Sequence, residues 1–119
     1  MAFELSNLSI WKYNIQEMEK VKILRYENGG KYKWHTDCGS KETSTRKLTA
    51  VIQLSDETMY EGGNLEFGIT DKSGKNNYTA PRTRGSITIF PAFLSHRVTP
   101  ITKGRRYSCI SWMLGDCFV

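Results

Sequence analysis

The chain has 119 residues, room for one domain with a single modest core. Hydrophobic residues make up 39% and charged residues 24%, as in ordinary globular domains, and no apolar run approaches the roughly 20 residues of a membrane helix. The net charge of +5 would suit an acidic partner or nucleic acid, but Lys and Arg are scattered, which reads as a solvated basic face.

The N-terminus, MAFELSNLSIWKYN, has no basic stretch followed by an apolar one, so no signal peptide is expected. Residues 14–21, NIQEMEKV, carry a short helical pattern. Everything after it reads as short strands with glycine-rich or polar turns between them. VKILRYE (21–27) and KYKWH (31–35) are strands flanking the turn NGG, and 36–46 is a polar loop. KLTAVIQL (47–54) is a strong strand: Leu48, Ala50, Ile52 and Leu54 share one face, and Thr49, Val51 and Gln53 share the other. SDETMYEGG (55–63) reads as a turn region, NLEFGI (64–69) as a strand and TDKSGKNN (70–77) as a connector. GSITIFP (85–91), SHRVTPI (95–101) and GRRYSCISWML (104–114) complete the set of strands. This pattern predicts an all-β sandwich, barrel or jelly roll with little helix. Cys38, Cys109 and Cys117 are odd in number and form no C-x-x-C, so a disulfide framework is not expected and a reducing, cytoplasmic setting fits.

The chain has only two histidines, His35 and His96. His35 and Asp37 stand two residues apart, and on a strand such residues project to one face. His96 begins another predicted strand far down the chain. If the fold brings it back, two imidazoles and one carboxylate hold one face of an octahedral ion and leave the other positions open, as in non-haem Fe(II) oxygenases. Zinc accepts the same donors.

Ten residues beyond His96 comes Arg106. By alternation Arg106, Ser108, Ile110 and Trp112 share one face of the last strand, and Arg105, Tyr107, Cys109 and Ser111 the other. On alternation alone, either arginine could be the inward one. An inward guanidinium needs a partner. A bound dicarboxylate would supply it through parallel hydrogen bonds, with the Ser108 hydroxyl as a further donor.

The segments LRYENGGKYKWHTD, YEGGNLEF and RGSITIFPAFLSHRVTPITKGRRYSCISW together resemble the 2-oxoglutarate- and Fe(II)-dependent dioxygenases, above all the prolyl 4-hydroxylase-like branch with its small bacterial and phage members. The resemblance spans about residues 21–115. It implies one domain over 1–119, with 21–115 as the core and 1–20 as partial N-terminal support, folded as a double-stranded β-helix, the cupin-like jelly roll. It implies that His35, Asp37 and His96 ligate iron and that Arg106 completes the catalytic set by pairing with the distal carboxylate of 2-oxoglutarate. Tyr26, Ser108 and Leu65 would line the cosubstrate site. Gln53 stands where some relatives place a tyrosine that hydrogen-bonds the cosubstrate, and an amide can still donate there. Trp112 would lie near the metal and, with Tyr32, toward the substrate. The implied cofactors are Fe(II), 2-oxoglutarate and O2, with ascorbate as an auxiliary. The products are succinate, CO2 and an alcohol, formed on a prolyl residue of a peptide or protein.

Loops 38–46 and 70–84 would flank the pocket mouth, where APRTRG (80–85) and KSGKNN (72–77) could attract acidic substrate regions. Relatives have a longer N-terminal portion with helices behind the major sheet, so this chain is either a minimal domain or lacks its start. Cys38, beside Asp37, reads as a loop thiol. Two alternatives stand beside this reading. One is a nucleic-acid demethylase of the same chemistry, which the pI of about 9.2 suggests. That branch, however, carries a second arginine where this chain has Trp112. The other is a non-catalytic jelly-roll module, which has no use for an open metal face.

Overall fold

The computed structural model describes residues 15–39, 45–69 and 78–115. Its strands are β1 (Ile15–Met18), β2 (Lys22–Glu27), β3 (Tyr32–His35), β4 (Arg46–Gln53), β5 (Tyr60–Gly62), β6 (Leu65–Phe67), β7 (Tyr78–Thr79), β8 (Ile87–Pro91), β9 (His96–Val98) and β10 (Ile101–Gly115). They form two antiparallel sheets that pack as a double-stranded β-helix. The larger has the order β1-β10-β4-β8, with β2 and β5 also paired to β10; the smaller has the order β3-β9-β6-β7. Among the described residues no helix is long and apolar enough to cross a membrane.

The fifteen-residue β10 organises the larger sheet. Its start pairs with β5, its middle with β2 on one side and β4 on the other, and its end with β1. Side-chain alternation then separates two apolar clusters. The inner faces bury Tyr26, Val51, Tyr60, Leu65, Phe67 and Phe90 between the sheets. On the outer face of the larger sheet, Leu48, Ala50 and Met113 are buried, with Ile15 and Ile89 packed against them. The two-face reading of β4 holds: Leu48 and Ala50 face outward, whereas Thr49, Val51 and Gln53 face the site.

Two sequence expectations are corrected. Residues 15–18 are a strand and not a helix, with Asn14 outside the described residues. Eight residues scarcely meet the cost of helix nucleation, whereas pairing of Ile15, Glu17 and Met18 with Gly115, Leu114 and Met113 satisfies their backbone at once. The region 55–63 is more than a turn. Asp56 caps a single 3-10 turn, Glu57–Met59, through Thr58 N, and Tyr60–Gly62 then pairs with Gly104, Lys103 and Ile101. Residues 70–77 lie outside the described residues.

The β5–β10 contact is close. Gly62 (φ +77°) and Gly104 (φ +75°) both have left-handed backbones, and a Cβ on either would collide with a carbonyl oxygen, Pro100 O and Met59 O respectively. Backbone cannot yield as a flexible side chain does. Gly62→Ala is therefore expected to destabilise the fold by about 2 kcal/mol or more, read as a lower urea midpoint at unchanged m-value.

Candidate metal and cosubstrate site

His35 ends β3 and His96 begins β9, and antiparallel pairing sets the two residues directly opposite each other. Asp37 follows two residues after His35 in a bend, held by its backbone N–H donating to Ala92 O at 2.8 Å. The three side chains converge: each imidazole Nε2 lies 3.3 Å from Asp37 Oδ1, and one ligand atom from each residue lies within 4.8 Å of the others. The tautomers follow from the other ring nitrogens. His35 Nδ1 is 2.6 Å from Lys33 O, and His96 Nδ1 is 2.8 Å from Leu94 O. A carbonyl only accepts, so each Nδ1 carries a hydrogen, and Nε2 is the atom each ring turns to the shared centre, donating to Asp37 when protonated and free to ligate a metal when not.

Asp37 and His96 are buried, and His35 is half-buried under the stacked ring of Tyr32, 3.9 Å away. Burial alone would raise the pKa of Asp37. Hydrogen bonds from His35 and His96, the charge of His96 and the Thr49 hydroxyl outweigh it and hold the carboxyl well below the usual carboxylate range. For His35, burial opposes the cation, but its hydrogen bonds to Asp37 and the Lys33 carbonyl prevail and raise its pKa. The group is therefore an ionised carboxylate between two imidazoles, a donor set that fits a divalent transition metal.

Thr49 Oγ1 donates to Asp37 Oδ2 at 2.6 Å from a fully buried position on β4. That bond fixes the carboxylate so that Oδ1 faces the histidines. Thr49→Val keeps the shape and removes the donor. It is expected to weaken metal binding about tenfold or more with little change in fold, as checked by metal titration and circular dichroism.

Arg106 is 1% exposed. Its Nη2 donates to Gln53 Oε1 at 2.7 Å, while its Nε and Nη1 are buried with no hydrogen-bond partner among the described residues. The Tyr26 ring lies beneath the guanidinium, 5.2 Å from Cζ. Burial lowers the pKa of Arg106 from its ordinary value, the cost of keeping a cation out of water. Arg106 and the triad line one cavity of about 170 Å3, whose walls include Leu24, Tyr26, Val51, Leu65, Ser108, Ile110 and Trp112. A second, more open cavity of about 500 Å3 lies against His35 and Asp37, with Thr36, Cys38, Gly39 and Arg46 on its wall. Lys22, Tyr32, His35, Asp37 and Trp112 line both.

Of the residues singled out in the sequence, the fold brings His35, Asp37, His96, Arg106, Tyr26, Ser108, Leu65, Tyr32 and Trp112 to the inner cavity. Arg105 turns outward and pairs with Glu27 at 2.6 Å. Gln53 is not among the cavity-lining residues. Its Nε2 donates to Tyr60 Oη at 3.0 Å and its Oε1 accepts from Arg106, so the amide is engaged on both ends. Cys38 is a free, half-buried thiol on the outer cavity. Arg82, expected to serve a basic loop at the mouth, instead folds inward onto the Tyr60 ring, 4.3 Å from Cζ, and donates to Gly62 O at 2.6 Å.

Sequence reasoning passed over Thr49, Tyr60 and Arg46. Arg46 pairs with Glu19 at 2.7 Å, donates to Asp37 O at 3.2 Å and stacks on Trp112 at 3.8 Å. Thr49 had a usable signal, since it shares the β4 face with Val51 and Gln53. The other two had none, because their partners come from distant segments.

Residues 21–114 match the family model of the 2OG-Fe(II) oxygenase superfamily, and the chain belongs to that superfamily. Among curated relatives it is 29% identical over 117 residues to a PKHD-type hydroxylase of Synechococcus sp. (strain CC9311), covering 92% of this chain and 51% of that one. It is 33% identical over 99 residues to a PKHD-type hydroxylase of Synechococcus sp. (strain CC9902), covering 83% and 43%. The chain thus spans about half the length of the curated relatives it matches. In fold it is similar to a Pseudomonas putida prolyl-4-hydroxylase, with a TM-score of 0.78 at 22% identity over 97% of this chain and 64% of that one. It is also similar to a prolyl hydroxylase of Trichoplax adhaerens in complex with a hypoxia inducible factor peptide, with a TM-score of 0.75 at 18% identity over 94% and 50%.

Proposed function

We propose that this chain is a 2-oxoglutarate-dependent dioxygenase domain. In this reading it couples oxidative decarboxylation of 2-oxoglutarate to hydroxylation of a prolyl residue in a peptide or protein. His35, Asp37 and His96 hold Fe(II). Arg106 holds the distal carboxylate of 2-oxoglutarate. The observation that carries the reading is Arg106: a guanidinium 1% exposed, with two nitrogens unpartnered, in the same small cavity as the triad. A buried cation left so needs an anion, and a short diacid reaching from a metal on one wall to Arg106 supplies one.

The bound iron would supply O2 activation; the chain supplies binding, orientation and dryness. Arg106 and Ser108 present donors to the carboxylate, while Leu24, Val51, Leu65 and Ile110 keep water from the reacting face. The outer cavity admits the substrate residue beside His35 and Asp37, with Tyr32 and Trp112 at the junction. The solved neighbours described as prolyl hydroxylases, one of them holding a peptide, support the choice of a peptide substrate.

The test is succinate formation with Fe(II), 2-oxoglutarate and O2, with proline-containing peptides, free amino acids and nucleic acids screened for a mass gain of one oxygen. Oxygen gain on proline is the expected result. Oxidation of nucleic acid alone would replace the substrate assignment, and tight 2-oxoglutarate binding without succinate would leave a binding module in place of an enzyme.

A further inference from the structure

The family resemblance implies that Gln53 contacts the cosubstrate directly, yet its polar atoms are spent elsewhere. It lies on β4 opposite Ser108 of β10, is 6% exposed, and its backbone is tied at both ends: Gln53 N–H donates to Ser86 O at 3.0 Å, and Gln53 O accepts from Gly85 N at 2.7 Å. Its side chain has one satisfactory orientation. Tyr60 Oη accepts from Nε2, which turns Oε1 toward Arg106. A flipped amide would set an N–H against the guanidinium. Tyr60 is itself anchored: Arg82 covers its ring and donates through Nη2 to Tyr60 O at 3.3 Å.

We infer that Gln53, oriented by Tyr60, is a positioning residue that aims Arg106 at the cosubstrate carboxylate and does not itself touch that carboxylate. A neutral acceptor is required for this task. It holds Nη2 while leaving the positive charge of Arg106 whole for the ligand, whereas an acid at the same place would neutralise it. The donors left over, Nε and Nη1, are the two that have no partner among the described residues. The inference rests on the assignment of Arg106 to the 2-oxoglutarate carboxylate.

Two ligands separate an effect through Arg106 from a general collapse of the site. 2-Oxoglutarate would use both the metal and Arg106; oxalate would chelate the metal alone. Calorimetry on the Mn(II)-loaded protein with each ligand should be run on the wild type, Gln53→Glu, Gln53→Met, Tyr60→Phe and the outward-facing control Arg105→Ala. Gln53→Glu is expected to weaken 2-oxoglutarate by about a hundredfold or more, Gln53→Met by about tenfold and Tyr60→Phe by a few-fold. Oxalate affinity should stay at the wild-type value throughout, and Arg105→Ala should change neither. Unaltered 2-oxoglutarate affinity in both Gln53 variants overturns the inference, as does a parallel loss of both ligands. If Gln53→Glu fails to fold, Gln53→Met and Tyr60→Phe decide alone. A wild-type protein that binds oxalate but not 2-oxoglutarate would defeat the functional reading itself, and the inference with it.

Discussion

Replacing Asp37 by alanine is expected to abolish Fe(II) binding and all turnover. Asp37 is where the triad meets: both histidines reach the same Oδ1 at 3.3 Å, and Thr49 fixes the opposite oxygen. Without the carboxylate, two neutral imidazoles remain, and the charge that balances a divalent cation is gone. The loss should exceed the roughly 10–100-fold that removal of an outer-shell partner produces. Fe(II) or Co(II) titration followed by absorbance reads it directly. The fold should persist, because both histidines keep their Nδ1 bonds to Lys33 O and Leu94 O. Wild-type metal affinity in Asp37→Ala would move the metal away from this cluster altogether.

The second large effect concerns Arg106. Arg106→Met should weaken 2-oxoglutarate binding by about 2–4 kcal/mol, or roughly 30–1000-fold, since a charge-assisted pair in a water-poor cavity is lost. The same substitution should leave the melting temperature unchanged or raise it. The native side chain is a buried cation that, among the described residues, has Gln53 as its hydrogen-bond acceptor, and an apolar side chain of similar volume removes that desolvation penalty. Opposite movements of affinity and stability are the mark of a residue kept for its ligand. Arg105→Ala, which breaks only an exposed pair with Glu27, should move neither by much. Were Arg105→Ala to weaken 2-oxoglutarate and Arg106→Met to spare it, the site would have to be rebuilt around the other face of β10.

What could be read in the sequence was what two-residue periodicity carries. The two faces of β4 and of β10 were legible, because long strands repeat the alternation often enough to display it. Which β10 face turns inward was not legible from alternation. The structure turns in the one with Arg106, buried against Tyr26, and leaves Arg105 exposed beside Glu27. Short elements escaped for the converse reason. Residues 15–18 and 60–62 are strands only because β10 offers them an edge, and four or three residues are too few to show a period. The role of Gln53 was hidden more deeply. Its placement outside the cavity depends on Tyr60, and the placement of Tyr60 depends on Arg82, so three separated segments must be assembled before the amide has a direction.

The two chambers that share His35 and Asp37 also divide the molecule's capacity to change. Leu24, Val51, Leu65, Arg106 and Ser108 reach only the inner one, drawn from four strands locked in register; Thr36, Cys38, Gly39 and Arg46 reach only the outer one, the first three from a single stretch of loop. What the outer chamber accepts can therefore be altered by rewriting a few neighbouring codons, with the lining of the inner chamber left untouched.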